Sequence, residues 1–275
     1  MLSARATRQL IDNIATANDR LCEAITRKKI DRLIRPIETA LQTTIAKLFL
    51  KQGNAIVKQL TPIKKYLSES AANDFDDLFD DATLTTSSDM QEAIDKSLKK
   101  SVLIGGKSLL SDFRSSIVFS LTNPRAVTYT EVKAALAISG IDAHSKADIR
   151  RLVTLAVEHG TSYTTLAKQI KDRYRQFAVG APQHHIRSRA ELIAVTEVGN
   201  AYQVGNYVAA QTLEDGGLTL EKYWYNRGDN KVSDGCIANT SAGWIDLESA
   251  FPSGHMTPLR FPGCRCAAQY RRKKQ

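Results

Sequence analysis

The sequence has little of what stabilises a small secreted protein or anchors a chain in a membrane. It contains 4 cysteines in 275 residues, too few for a disulfide framework. No stretch approaches the roughly 18 uninterrupted apolar residues that a membrane-spanning helix needs. Arg5, Arg8 and Asp12 interrupt any apolar segment at the amino terminus, which argues against a secretory signal. We therefore expect a soluble or peripheral chain that is not exported by that route, and we predict no membrane among its partners.

Acidic residues are also in deficit. The chain has 38 Lys and Arg against 29 Asp and Glu, a formal net charge of +9. This excess favours a polyanionic partner, with nucleic acid ahead of an anionic membrane surface. Apolar residues make up 43% and charged residues 24%, so collagen-like and disordered classes are excluded and a packed chain of about two units is expected.

Apolar residues recur at helical spacing over most of the first 212 residues. Within residues 4–60, Pro36 is compatible with a first helical turn, so this segment is predicted to be a helical hairpin. The Ser/Thr-rich stretch 83–89 predicts a hinge or loop, and Gly105 and Gly106 predict a break in the following helix.

Helical spacing continues beyond Asn123, where the preceding helix is expected to stop. Thr130 is the predicted cap of a short helix. A long helix is expected to end at the Gly216 and Gly217 pair. This long helix is predicted at 187–212, and the two helices before it are predicted at 145–158 and 163–177.

The amino-acid composition changes after Gly217, where β-forming residues become frequent. The strongest predicted strand is 218–225, with shorter ones at 244–245 and 266–270. The fold class is therefore mainly α, with a long N-terminal helical region and a small C-terminal α+β domain containing a short antiparallel sheet. The predicted regions are 1–125 (helical N-terminal), 126–186 (helical middle and linker) and 187–275 (C-terminal α+β domain with a basic tail).

The residues with metal-binding chemistry are concentrated near the carboxyl terminus. Three cysteines and one histidine could supply the thiolate and imidazole ligands that zinc prefers. Asp229 or Asp234 could substitute as an oxygen ligand. In the alternatives, the cysteines are buried packing residues or two of them form a disulfide. The candidate zinc ligands are Cys236, His255, Cys264 and Cys266.

Short motifs in the same part of the chain resemble the phage Mu protein F-like minor head protein family, over roughly residues 145–270. In that family a helix carries Ala-Arg-Thr-Glu. Here Ala194, Thr196 and Glu197 match, and Val195 stands in place of the arginine.

Two cysteine motifs complete the resemblance. The family pattern Asp-x-x-Val-Cys-x-x-Cys is met except that Ser233 replaces the first cysteine, and the ending His-Pro-x-Cys-Arg-Cys is met except that Phe261 replaces the histidine. The positions that agree are Asp229, Val232 and Cys236 in the first motif and Pro262, Cys264, Arg265 and Cys266 in the second.

The resemblance implies a non-enzymatic, structural minor head protein of a tailed bacteriophage. It implies a place in the capsid interior near the portal vertex, after assembly in the host cytoplasm. The implied partners are the portal protein, a major capsid or scaffolding protein, and packaged DNA. The implied roles are head assembly and DNA packaging or ejection.

Glu197 is a carboxylate among apolar residues on a helix, so it is expected to need a cationic partner. Arg227 or Arg265 is the predicted partner. With Thr196, these residues would form a structural brace between the long helix and the small sheet.

The rival interpretation is a nuclease or processing hydrolase acting on nucleic acid or head proteins. In it Glu197 is a general base that cooperates with His255 and a cysteine. A third interpretation is a carrier of a host-directed toxin.

The carboxyl terminus carries the plainest candidates for DNA contact. Basic side chains bind phosphates by releasing condensed counterions. The alternative is a solvated terminal tail. The candidates are Arg271, Arg272, Lys273 and Lys274.

Overall fold

The computed structural model describes residues 4–60, 75–179, 186 and 188–273, with the side chains of these residues from 25 onward except at 131, 134 and 135. These ranges confirm a mainly α fold with a small C-terminal antiparallel sheet. None of the helices in these ranges is long and apolar enough to cross a membrane. The helices are α1 (Ala4–Leu60), α2 (Phe75–Asp112), α3 (Pro124–Glu158), α4 (Tyr163–Val179), α5 (Arg189–Asp215) and α6 (Asp234–Ser241), and the strands are β1 (Leu220–Tyr225), β2 (Trp244–Asp246) and β3 (Ala267–Arg272).

The first helix is continuous, and the predicted hairpin is wrong. Pro36 lies inside α1 on its exposed side. An interior proline removes one hydrogen bond and costs about 3 kcal/mol. The helix persists because its apolar face is packed on both sides of the proline, with Ile34 and Ile37 buried.

The second helix runs through 83–89, so the predicted hinge is wrong. Thr83 donates its hydroxyl to the Phe79 carbonyl at 2.8 Å, and Thr86 donates to the Thr83 carbonyl at 2.9 Å. Hydroxyls satisfied within the helix do not compete for its backbone groups as they would in a turn. Both threonines are buried, which shows that tertiary packing overrides their loop preference.

The predicted break at Gly105 and Gly106 is also wrong, because both glycines lie inside α2. Gly106 packs against the Phe119 ring, and Gly105 lies at a helix crossing. A Cβ at Gly105 would lie 2.2 Å from the carbonyl oxygen of Tyr202 on α5. On α5, a Cβ at Gly205 would lie 2.1 Å from the carbonyl oxygen of Val102. Because Gly105 and Gly205 have no side chain, the backbones of α2 and α5 can come into contact at this crossing.

The third helix begins earlier than predicted. Asn123 caps it by accepting a hydrogen bond from the backbone N–H of Arg125 at 3.0 Å, and Pro124 fills the first turn. Thr130 lies inside the helix and donates to the Ala126 carbonyl at 3.2 Å, so its prediction as a cap is wrong.

One apolar core extends from α1 to β3. Helix α2 packs against α1, α3 and α5, and α5 in turn packs against β3. Each of the three predicted regions contributes to this core, for example through Ile45, Ile149 and Val198, all of which are nearly fully buried. The C-terminal part is thus joined to the helical body by shared packing.

The three strands form an antiparallel sheet in the order β2-β1-β3. Strand β1 alternates as predicted, with Leu220, Lys222 and Trp224 buried. Between β1 and β2 the chain forms α6, an element that the sequence analysis missed. A second apolar cluster forms beneath this helix from Trp224, Cys236, Phe251, Cys264 and Cys266.

Candidate functional site

The three C-terminal cysteines converge in space. Cys236 lies in the first turn of α6, Cys264 follows Gly263, and Cys266 immediately precedes β3. Gly263 has φ of 77°, a left-handed conformation that suits glycine and turns the chain. The three sulfur atoms lie within 4.8 Å of one another, and those of Cys236 and Cys264 are 3.8 Å apart. All three are free thiols and buried.

The thiols differ in acidity. The Cys266 thiol donates a hydrogen bond to Cys264, and this bond, together with backbone N–H groups, lowers the pKa of Cys264. That same bond, together with burial, raises the pKa of Cys266. Thiolate is the metal-binding form of cysteine, so the lowered pKa of Cys264 favours metal binding at this thiol.

His255 belongs to a different group of contacts. Its Nδ1 lies 3.1 Å from the hydroxyl and 3.0 Å from the carbonyl oxygen of Ser253, whose hydroxyl accepts from Asn239. Asp229 forms an ion pair with Arg265 at 2.8 Å. Within the described ranges, no imidazole or carboxylate joins the three sulfurs, so the structure brings together three of the four predicted ligands.

Polar side chains along one face of α5 hold the C-terminal loop and β3. Thr196 accepts from the Gly263 N–H at 2.9 Å, Asn200 from the Leu259 N–H at 3.1 Å, and Gln203 from the Ala268 N–H at 3.0 Å. Their spacing of four and three residues places them on one side of the helix. Sequence analysis missed Asn200 and Gln203, although polar residues at this spacing on an otherwise apolar face were a usable signal.

Glu197 is buried, and burial raises its pKa. Its cationic neighbour is Lys133 of α3, with Nζ 3.9 Å from Oε2. The predicted partners are engaged elsewhere, because Arg227 pairs with Asp31 of α1 at 3.3 Å and Arg265 pairs with Asp229. The ion pair of Glu197 therefore joins two helices, whereas Arg227 ties the end of β1 to α1.

The residues required by the hydrolase interpretation lie in separate contacts. Glu197 faces Lys133, His255 faces the turn at Ser253, and the cysteines face one another. A general base must reach the proton that it abstracts. Among the described side chains, these contacts do not assemble the base, nucleophile and orienting group that such an enzyme needs.

The basic carboxyl terminus is largely part of the sheet. Arg271 pairs with Glu221 at 2.8 Å and lies over the Trp244 ring, 4.2 Å from its centroid. Lys273 pairs with Asp246 at 2.6 Å. Arg272 is exposed at the end of β3. Lys274 lies outside the described residues.

A cavity of about 210 Å³ lies between α1, α5 and the cysteine loop. Arg27, Glu38, Arg227 and Cys264 are among the residues that line it. Burial and the neighbouring Asp31 raise the pKa of Glu38 to about 7. This carboxyl is the most strongly perturbed acid facing the cavity.

Comparison with known proteins finds a similarity in the C-terminal segment. A family model described as Phage Mu protein F like protein matches residues 147–269. This match confirms the resemblance recognised from the sequence motifs. No curated protein and no solved structure matches the chain significantly.

Proposed function

From the phage Mu protein F-like character of residues 147–269, we propose that this chain is a structural minor head protein of a tailed bacteriophage. The family match is the observation that carries the proposal, and it supports a role in head morphogenesis. The proposal further places the protein in the capsid interior, in contact with the portal and with capsid or scaffolding protein, where it assists DNA packaging or ejection.

The construction of the C-terminal part supports a mechanical role. Thr196, Asn200 and Gln203 fix three backbone N–H groups of the C-terminal loop and strand. Arg227 adds an ion pair to Asp31 on α1. A small sheet fastened at several points to a helical body can pass force between partners without unfolding locally, because opening it requires breaking several contacts together.

The length of α1 also supports this role. Its 57 residues correspond to a span of about 85 Å at 1.5 Å per residue. A helix of this length can contact one partner near each end. We therefore assign to α1 the role of connecting the C-terminal domain to a neighbouring head component.

Purified phage particles test the proposal. We expect the protein in mature heads at a low and constant number of copies, located at the portal vertex by electron microscopy. A deletion should yield heads with reduced DNA content or infectivity, restored by the wild-type gene in trans. Absence of the protein from purified heads, with normal heads formed by the deletion strain, would refute the proposed function.

Direct contact with packaged DNA is the finer part of the proposal, and the net charge of +9 supports it. Each phosphate neutralised on duplex DNA contributes about −0.9 to the slope of log K against log salt. Arg272 is exposed, whereas Arg271 already pairs with Glu221. We expect Arg272→Gln to reduce the slope by about 0.9 and the matched Arg271→Gln to reduce it less. Equal slopes for wild type and both variants would contradict DNA contact at this terminus.

A further inference from the structure

The spacing of the three buried thiols matches the ligand set of a tetrahedral metal ion. A zinc–thiolate bond is about 2.3 Å long, so two sulfurs on the same tetrahedral ion lie roughly 3.8 Å apart. The Cys236 and Cys264 sulfurs are 3.8 Å apart, and all three sulfurs lie within 4.8 Å of one another. Sulfurs joined in a disulfide lie at about 2.05 Å, much closer than those observed.

A small cavity adjoins these sulfurs. It has a volume of about 20 Å³, and all three cysteines line it, together with Ser233 and Arg265. A polar cavity of roughly 10–15 Å³ is large enough for one water molecule. The side of the cluster that faces this cavity is therefore available to a fourth, non-protein ligand.

The charges around the cluster suit a bound ion. Three thiolates and one divalent cation carry a net charge of −1. Arg227, Lys231 and Arg265 line the same cavity, and Arg260 reaches Ser233 at 3.2 Å. Arg227 and Arg265 also pair with Asp31 and Asp229. Together with Lys231 and Arg260, they offset the residual negative charge, which would otherwise be costly to bury.

We propose that Cys236, Cys264 and Cys266 bind one Zn²⁺ ion as a three-thiolate site whose fourth ligand is a water molecule from the adjoining cavity. This set differs from the four ligands predicted from the sequence, because His255 is directed to Ser253. The ion connects α6, the turn at Gly263 and the start of β3. It thereby cross-links the second apolar cluster, in addition to the packing and hydrogen bonds that hold it. The proposal is independent of the proposed function.

Cobalt substitution of the full-length protein tests the site. The reduced, metal-free protein is titrated with Co²⁺, whose tetrahedral thiolate complexes absorb strongly in the visible and near-ultraviolet whereas its octahedral aqua ion does not. We expect one Co²⁺ per chain with a tetrahedral thiolate spectrum, and displacement of that spectrum by Zn²⁺. Elemental analysis of the zinc-loaded protein after gel filtration should give one zinc per chain.

Single substitutions identify the ligands. We expect Cys236→Ser, Cys264→Ser and Cys266→Ser each to weaken metal binding at least about tenfold. His255→Asn is the matched control for the fourth predicted ligand and should keep both the stoichiometry and the spectrum. Cys22→Ser controls for loss of a thiol elsewhere in the chain and should also bind one ion.

Two results would overturn the proposal. One is the absence of a tetrahedral cobalt spectrum in reduced wild-type protein with native circular dichroism, a measurement that does not depend on whether the variants fold. The other is loss of the spectrum in folded His255→Asn, which would establish a different ligand set.

Discussion

Gly205 lies where α5 crosses α2, and its replacement by alanine tests whether the two helices are in backbone contact. The new Cβ would lie 2.1 Å from the carbonyl oxygen of Val102, more than 1 Å inside ordinary van der Waals contact. The obstacle is backbone and cannot rotate away. The helices must therefore separate, which loosens the packing along their whole contact.

Two opposing free-energy changes set the magnitude. Alanine is favoured over glycine within a helix by about 1 kcal/mol. Overpacking of a close contact costs about 1–3 kcal/mol and more where the neighbour is rigid. We expect Gly205→Ala to lower the free energy of unfolding by about 1–2 kcal/mol, since the steric cost exceeds the gain in helix propensity.

Gly140→Ala is the matched control. Gly140 also lies inside a helix, α3, but nothing lies within 4 Å of a Cβ placed there. The same substitution should therefore raise the free energy of unfolding by up to about 1 kcal/mol. The two variants should differ in opposite directions from wild type.

Urea unfolding followed by circular dichroism, together with the thermal midpoint, provides the assay. The two variants should differ by roughly 1–3 kcal/mol, equivalent to several degrees in Tm for a chain of this size. The double variant Gly105→Ala with Gly205→Ala should lose less than the sum of the two, because either substitution alone separates the helices. Equal stability of Gly205→Ala and Gly140→Ala would refute backbone contact at this crossing.

Three further predictions concern buried polar groups. Because the folded pKa of Glu38 is raised to about 7, its contribution to the free energy of unfolding falls as pH rises from about 4.5 to 7. Glu38→Gln should remove this pH dependence from urea unfolding, and an unchanged pH dependence would contradict the prediction. Lys222 is fully buried, and burial lowers its pKa to about 8, so wild type should gain stability relative to Lys222→Met between about pH 8 and 10.5, as measured by urea midpoints. Thr196→Val removes the acceptor of the Gly263 N–H and should cost about 1–3 kcal/mol, with faster amide exchange at Gly263; unchanged exchange there would show that the bond does not brace the loop.

The family resemblance of the C-terminal segment and the three strands could be predicted because their signals are local. The motif at Ala194, Thr196 and Glu197 and the ending at Cys264 and Cys266 are short and occur in a fixed order, and the family match confirms the segment. The β1 alternation is likewise readable because side chains on a strand alternate between its faces.

The incorrect predictions of helix breaks share one cause. Pro36, the stretch 83–89 and the pair at Gly105 were interpreted by the local preference of their residues for breaks. Each lies inside a helix whose buried face packs against distant elements. Tertiary packing can supply more than the roughly 1–3 kcal/mol that such residues cost.

The candidate site also combines features that can be predicted from local sequence with contacts that depend on packing. That thiols, a carboxylate among apolar residues and basic side chains occur within the C-terminal segment can be read from the sequence, because composition and spacing are local properties. The partners of these groups depend on tertiary packing. In the folded chain His255 contacts Ser253, Lys133 pairs with Glu197, and three cysteine sulfurs lie within 4.8 Å of one another. Such pairings depend on the distances between elements far apart in the chain, and those distances arise only when the helices and the sheet pack on a common core.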